Sequence, residues 1–168
     1  MPSPEENIVI EQTTDPADFA VCAEMMAGND PWITLGIGIE DCAKAFKGSF
    51  REVFVLRKMN EIIGFFIIQP LGTFKGYIQT IAIAKGHRGK GYGTMILQFC
   101  EARILKYSPN IFICVSSFNH EALKLYTRYG FERVGELKDF IKPGFNEILL
   151  RKTVGPTVGY ETRLNATD

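Results

Sequence analysis

The stretch HRGKGYG, His87 to Gly93, follows the apolar run YIQTIAIA (Tyr77 to Ala84) and leads into TMILQFCEARILKY (Thr94 to Tyr107). In that last segment Ile96, Phe99, Cys100 and Ile104 fall on one helical stripe, with Glu101 and Arg103 turned away. A strand that passes through a glycine-rich turn into an amphipathic helix constrains the chain to layered α and β structure. The turn is also an anion site in waiting. The first N–H groups of a helix have no intrahelical partner, the dipole is positive there, and glycine lets the main chain approach a phosphate closely.

The usual nucleotide patterns do not fit this turn. The Walker pattern needs Gly-Lys followed by Ser or Thr, and here Gly89-Lys90 is followed by Gly91. The dinucleotide fingerprint GxGxxG fails as well, because Gly89, Gly91 and Gly93 are evenly spaced. The turn does satisfy Arg-x-x-Gly-x-Gly, through Arg88, Gly91 and Gly93.

Around this centre, Asn7 to Thr13 alternates weakly as an edge strand. Asp15-Pro16 then opens a helix carrying Phe19, Cys22, Ala23 and Met26, which Gly28 ends. GNDPWITLGIG, Gly28 to Gly38, is too broken by Gly and Pro for a regular helix and reads as a loop with a task. A short helix covers Ile39 to Phe46. Val53 to Leu56 and Ile62 to Ile68 form an antiparallel hairpin joined through Arg57 to Glu61. Both faces of Tyr77 to Ala84 are largely apolar or small, the pattern of a strand in mid-sheet covered on both sides. Ile111 to Val115 is another buried strand, and Asn119 to Tyr129 is a helix closed by Gly130. Phe131 to Val134, continuing toward Ile141, and Phe145 to Arg151 are strands joined through Pro143-Gly144.

The length of 168 residues fits one domain, 1–152, followed by an irregular tail, 153–168, that is either disordered or packed on a partner. That tail could cover an exposed edge, which is compatible with a homodimer. Lys plus Arg and Asp plus Glu are 19 each, so no global field draws the chain to nucleic acid or an anionic membrane. Its longest apolar run, Ile62 to Ile68, is far too short for a membrane span, and MPSPEENIVIEQ has no basic or long apolar leader. The cytoplasm is the expected compartment. Cys22, Cys42, Cys100 and Cys114 lack the clustering of a metal site and are expected to be small buried hydrophobes, Cys114 in IFICV most clearly.

A second segment bears on function. In SSFNHEALKLYTRYGFERVG, Ser116 to Gly135, seven residues separate Asn119 from Tyr126, which returns both to one helix face. At Arg88, Gly91 and Gly93, and again at Asn119, Ala122, Tyr126, Gly130 and Phe131, the chain resembles the GNAT superfamily of N-acetyltransferases. Both segments stand in the family's order, and the resemblance covers about residues 7 to 152. It implies an α/β (α+β) fold: a mixed, mostly antiparallel sheet of six or seven strands with a V-shaped splay, flanked by about four helices.

The resemblance also implies acetyl-coenzyme A as acyl donor; no metal is expected, since the cysteines and the two histidines are not clustered. Arg88, Gly89, Lys90, Gly91, Tyr92, Gly93 and Thr94 would hold its pyrophosphate, and Asn119 its pantetheine arm. The main chain of Ile81, Ala82 and Ile83 would bind that arm as a surrogate strand. The Ile81 N–H would polarise the thioester carbonyl, and Tyr126 would protonate the departing thiolate. The family's carboxylate base is not found where it is expected, because Tyr77 and Cys114 stand at the two matching positions.

Without a strong base the easier amine is favoured. Deprotonating an α-amine at neutral pH costs about 1 kcal/mol, against about 4 to 5 for a lysine. The expected acceptor is therefore an α-amine, of a small molecule or a peptide N-terminus, with water relayed by Gln79 or Asp30. Trp32 would wall its pocket and Asp30 attract its ammonium. The plainer reading has Trp32 plugging the core and Asp30 capping a turn. A rival function is that of a non-catalytic acyl-coenzyme A sensor or scaffold on the same fold.

Overall fold

In the computed structural model, which describes residues 7–165, the hairpin extends further than the apolar runs suggest. Strands β2 (Glu52–Lys58) and β3 (Glu61–Gln69) continue to a two-residue turn at Met59 and Asn60. Both turn residues have positive φ, 50° and 69°, the geometry whose twist matches a tight hairpin. Residues 1–6, read above as carrying no leader, and the last three residues of the tail lie outside the described residues.

The remaining elements are β1 (Ile8–Gln12), α1 (Pro16–Ala27), α2 (Trp32–Leu35), α3 (Ile39–Ala43), β4 (Tyr77–Ile83) and α4 (Tyr92–Ile104). They are followed by β5 (Asn110–Ser116), α5 (His120–Tyr129), β6 (Glu132–Lys142), β7 (Phe145–Thr153) and α6 (Tyr160–Asn165). The hydrogen-bonded strand order is β1-β2-β3-β4-β5-β7-β6, a mixed α/β fold on a seven-stranded sheet. The pairs β1/β2, β2/β3, β5/β7 and β6/β7 are antiparallel, whereas β4/β5 is parallel. Six α-helices stand among the described residues instead of about four. The two additions are α2, inside the segment read as a loop, and α6, inside the segment read as an irregular tail. No described helix is long and apolar enough to cross a membrane.

The contacts divide the chain into two compact units, residues 7–68 with Thr80–Tyr92, and Gln69–Gln79 with residues 93–165. In the first, Asp15 caps α1 by accepting from the Ala17 N–H at 2.8 Å, and Pro16 needs no N–H partner at the first helical position. Cys22, Ala23 and Met26 of α1, with Cys42 and Phe46, close over Val53, Val55, Phe65, Ile67 and Ala82. Trp32 packs against this core. Asp18 is buried but satisfied, accepting from Thr13 at 2.6 Å and from Arg57 at 2.7 Å. Burial pushes its carboxyl up, and those two bonds with the Arg57 charge outweigh that and hold it below the ordinary value.

In the second unit β7 lies between β5 and β6, although it follows β6 in the chain. The buried stripe of α4 is Ile96, Leu97, Cys100 and Ile104, so Phe99 is only half-buried. The tail returns to this unit: Tyr160 is buried and its hydroxyl donates to the Leu105 carbonyl at 2.6 Å.

Two expectations about coverage are corrected. On β4 only Ile78, Thr80 and Ala82 are buried, while Tyr77, Gln79, Ile81 and Ile83 are half-buried, so its second face is partly open. On β5 the same alternation buries Ile111, Ile113 and Val115 and leaves Phe112 and Cys114 half-buried. Cys114 is thus the least buried of the four free cysteines, because the strand's pleat turns it away from its apolar neighbours.

Candidate active site

Beyond Ile83 the chain makes one 3₁₀ turn, Lys85–His87, and reaches α4 through Arg88 to Gly91. The three glycines serve two different needs. Gly89 and Gly91 have φ of 71° and 85°, and a Cβ at either would meet nothing within 4 Å. Their requirement is conformational, and the main chain there faces open space. Gly93 is helical, and its Cβ would stand 2.8 Å from Cδ2 of Leu125, so its requirement is packing.

Arg88 does not reach outward. Its Nε donates to the Ile83 carbonyl at 3.1 Å and its Nη2 to Asn29 Oδ1 at 2.8 Å. Asn29 is buried and bonds in turn to the Met25 carbonyl. The guanidinium therefore ties the glycine loop to the end of α1. Lys90 is exposed, and Tyr92 and Thr94 are half-buried in the first turn of α4.

Asn119 caps α5, its Oδ1 accepting from the Ala122 N–H at 3.3 Å. Tyr126 is 7 % exposed and packs edge-on against Phe131, ring centroids 6.1 Å apart. Burial, and to a lesser degree the neighbouring Cys100, pushes its phenol well above the ordinary value. Tyr126 therefore holds its proton throughout the physiological range, as a hydrogen-bond donor must.

Of the expected acceptor residues, Asp30 accepts from the Thr34 hydroxyl at 2.6 Å and from the Thr34 N–H at 3.1 Å. These bonds hold its carboxyl below the ordinary value. The Gln79 side chain accepts from Gln69 Nε2 at 2.6 Å. A cavity of 460 Å³ in the second unit is lined by Phe74, Tyr107, Asn110, Phe112 and Tyr160 among others, and none of the expected site residues lines it.

The register reveals a group that sequence reasoning passed over. Tyr77 lies beside Phe112 on β5, and across β5 Cys114 faces Leu149 and Ser116 faces Glu147 of β7. Since paired residues share a face, Tyr77, Cys114, Ser116 and Glu147 all project from the same side of the sheet. Tyr77 and Cys114 are hydrogen-bonded to each other, and Ser116 Oγ donates to Glu147 Oε1 at 3.2 Å. Glu147 is 6 % exposed, and its Oε2 is buried with no hydrogen-bond partner. Burial pushes its carboxyl up, and the bond from Ser116 offsets this only in part. Burial likewise raises Tyr77 and Cys114, and the Glu147 charge adds to both.

Residues 21–131 match the Acetyltransferase (GNAT) family, and the chain belongs to it. An uncharacterized protein of Mycobacterium leprae (strain TN) is 30% identical over 139 residues, covering 77% of this chain and 36% of that protein; the chain thus spans about a third of that relative's length. Among solved structures, a putative GNAT acetyltransferase from Desulfovibrio desulfuricans matches with a TM-score of 0.73 at 17% identity, covering 89% of this chain and all of that one. A GNAT family acetyltransferase from Elizabethkingia anophelis with acetyl-CoA bound matches with a TM-score of 0.63 at 22% identity, covering 89% of this chain and 99% of that one.

Proposed function

We propose that this protein transfers an acetyl group from acetyl-coenzyme A to a primary amine by direct attack. The observation that carries the reading is the glycine loop between β4 and α4. Two left-handed glycines there leave the main chain open, directly before a helix whose first amides have no intrahelical acceptor. A diphosphate fits such a cradle, because the amides can approach it with no Cβ in the way. Arg88 then holds the loop in shape and adds charge nearby, whereas Lys90 is free to reach a phosphate.

The thioester would lie along β4, with the Ile81 N–H as oxyanion donor and the Ala82 and Ile83 main chain beside the pantetheine arm. Asn119 would complete the grip on that arm. Tyr126 would give its proton to the departing sulfur. Its raised pKa keeps the donor fully protonated, and the thiolate draws the proton as charge develops on it. Acetyl-coenzyme A, once bound, would supply the activated acyl carbon; the chain would supply orientation, the oxyanion donor and the acid.

The proposed acceptor is an α-amine, of a small molecule or a peptide N-terminus. Its free base is within about 1 kcal/mol of neutral pH. A thiol-release assay with acetyl-coenzyme A across amines, amino acids and peptides tests this. Faster release with a matched N-terminal peptide than with a lysine side chain is expected. The reverse order would remove the α-amine assignment, and failure of calorimetry to detect coenzyme A binding would remove the whole reading.

A further inference from the structure

We propose that Glu147 is the general base of this site, taking the proton from the acceptor amine on the sheet face it shares with Tyr77, Cys114 and Ser116. The inference rests on the amine-acetylation reading above and adds the group that the sequence left unassigned.

Glu147 has an unmet hydrogen-bonding valence. Oε1 of Glu147 is fixed by Ser116, while Oε2 is buried without a donor. A buried acceptor left unpaired costs free energy, so its persistence in a folded protein calls for a donor that arrives from outside. An amine or ammonium N–H is such a donor. The carboxylate's cross-strand neighbours are Ser116 on β5 and Leu137 on β6, neither of them charged. Facing it more distantly are the Tyr77 hydroxyl and the Cys114 thiol, and Arg151, four residues along its own strand, is exposed. No neighbouring cation thus shares in setting its ionisation. What remains is a carboxylate with one anchored and one spare oxygen.

The position of Glu147 points the same way. Ser116 ends β5 and stands three residues before Asn119, the cap of α5, whose helix carries Tyr126. The base and the proposed acid thus belong to adjoining stretches of the second unit. The two positions where the family's carboxylate is expected hold Tyr77 and Cys114, and both sense the charge of Glu147. The carboxylate has moved one strand over, onto β7, while keeping the face. Its raised pKa suits the task, since a carboxyl nearer neutrality is a stronger base when ionised.

The proton account closes. An ammonium acceptor loses two protons in all, one through Glu147 to solvent. The nitrogen lone pair forms the C–N bond as the C–S bond breaks, and the sulfur takes a proton from Tyr126. The second nitrogen proton returns to Tyr126 through solvent, leaving an amide, a free thiol and one released proton.

The test is Glu147→Gln, which keeps the side chain's size and its acceptor for Ser116. Its kcat is expected to fall by about 10²- to 10⁴-fold, with coenzyme A affinity retained. The acidic limb of the pH profile, which in the parent falls as Glu147 protonates, is expected to disappear. In Ser116→Ala the hydrogen bond that favours the ionised form is lost, so that limb should move to higher pH, a shift that a purely structural role would not give. Parental kcat and an unaltered acidic limb in Glu147→Gln would overturn the proposal while leaving acetyl transfer standing. A parent that binds no coenzyme A by calorimetry would overturn both.

Discussion

Arg88 Nη2 donates to Oδ1 of the buried Asn29 at 2.8 Å, and this bond links the glycine loop to the end of α1. Its donor is a cation and its acceptor sits in a buried turn, so the bond belongs to the stronger class. Replacing Asn29 with Ala is expected to cost about 1–3 kcal/mol of stability, because the Met25 carbonyl also loses its donor. The freed loop should bind coenzyme A roughly tenfold more weakly, about 1.4 kcal/mol. Calorimetry on Asn29→Ala checks this; undiminished affinity would show that the loop holds its shape without the Arg88–Asn29 bond.

The two classes of glycine separate by mutation. At Gly91, φ is 85° with open space around the missing Cβ, so Val is penalised by backbone strain and not by a clash. Gly91→Val should lose about 1–2 kcal/mol, whereas Gly91→Asn should lose less, since Asn tolerates the left-handed region. At Gly93 the obstacle is the far end of the Leu125 side chain, which can move, and Ala is a better helix former. Gly93→Ala is therefore expected to remain within about 1 kcal/mol of the parent. Urea denaturation of the three variants gives the ranking, and a Gly93→Ala that ranks below Gly91→Val would contradict it.

Replacing Tyr126 with Phe removes the hydroxyl and keeps the ring against Phe131. The expected result is a kcat lower by about 10²- to 10⁴-fold with coenzyme A affinity retained. Because burial raises the phenol's pKa, the parent should show no alkaline loss of acid function below about pH 10. A steady-state pH profile decides the point, and an alkaline limb that vanishes in Tyr126→Phe but lies near pH 8 would contradict the raised value.

What could be read from the residues alone was what is local. Asp15-Pro16 opening one helix and Gly130 closing another each depend on atoms within four residues. The short α2 was missed because its ends, not its body, make it: Asp30 accepts from Thr34, and Gly36 closes it at a φ of 67°. The tail was missed for a similar reason, since Tyr160 is anchored by one hydrogen bond to a main-chain carbonyl and leaves no periodic trace. Glu147 was out of reach in a deeper sense. Alternation in FNEILLRKT tells which residues share a face, but not that β7 inserts beside β5 and sets Glu147 against Ser116, 31 residues earlier. Long-range strand order decides that, and no short pattern encodes it.

The same carboxylate should leave a mark on stability. A group whose folded pKa is raised above its unfolded value contributes stability that is complete below the unfolded value and is lost as pH rises through the folded one. Glu147 is such a group, raised by burial against the partial relief from Ser116. Once ionised, the group is a carboxylate in a place that disfavours its charge. Gln at this position has no charge to bury and keeps the acceptor for Ser116. Glu147→Gln is expected to raise the melting temperature at pH 7 to 8, with the gain shrinking toward zero as pH falls below about 4.3, where the unfolded chain's carboxyl is also protonated. Thermal denaturation of both proteins across that range tests it. A gain of the same size at pH 4 and pH 8 would mean that the substitution acts through packing and not through the charge, whereas a gain confined to neutral pH in a variant that has lost its turnover would mark Glu147 as a residue kept at the expense of stability.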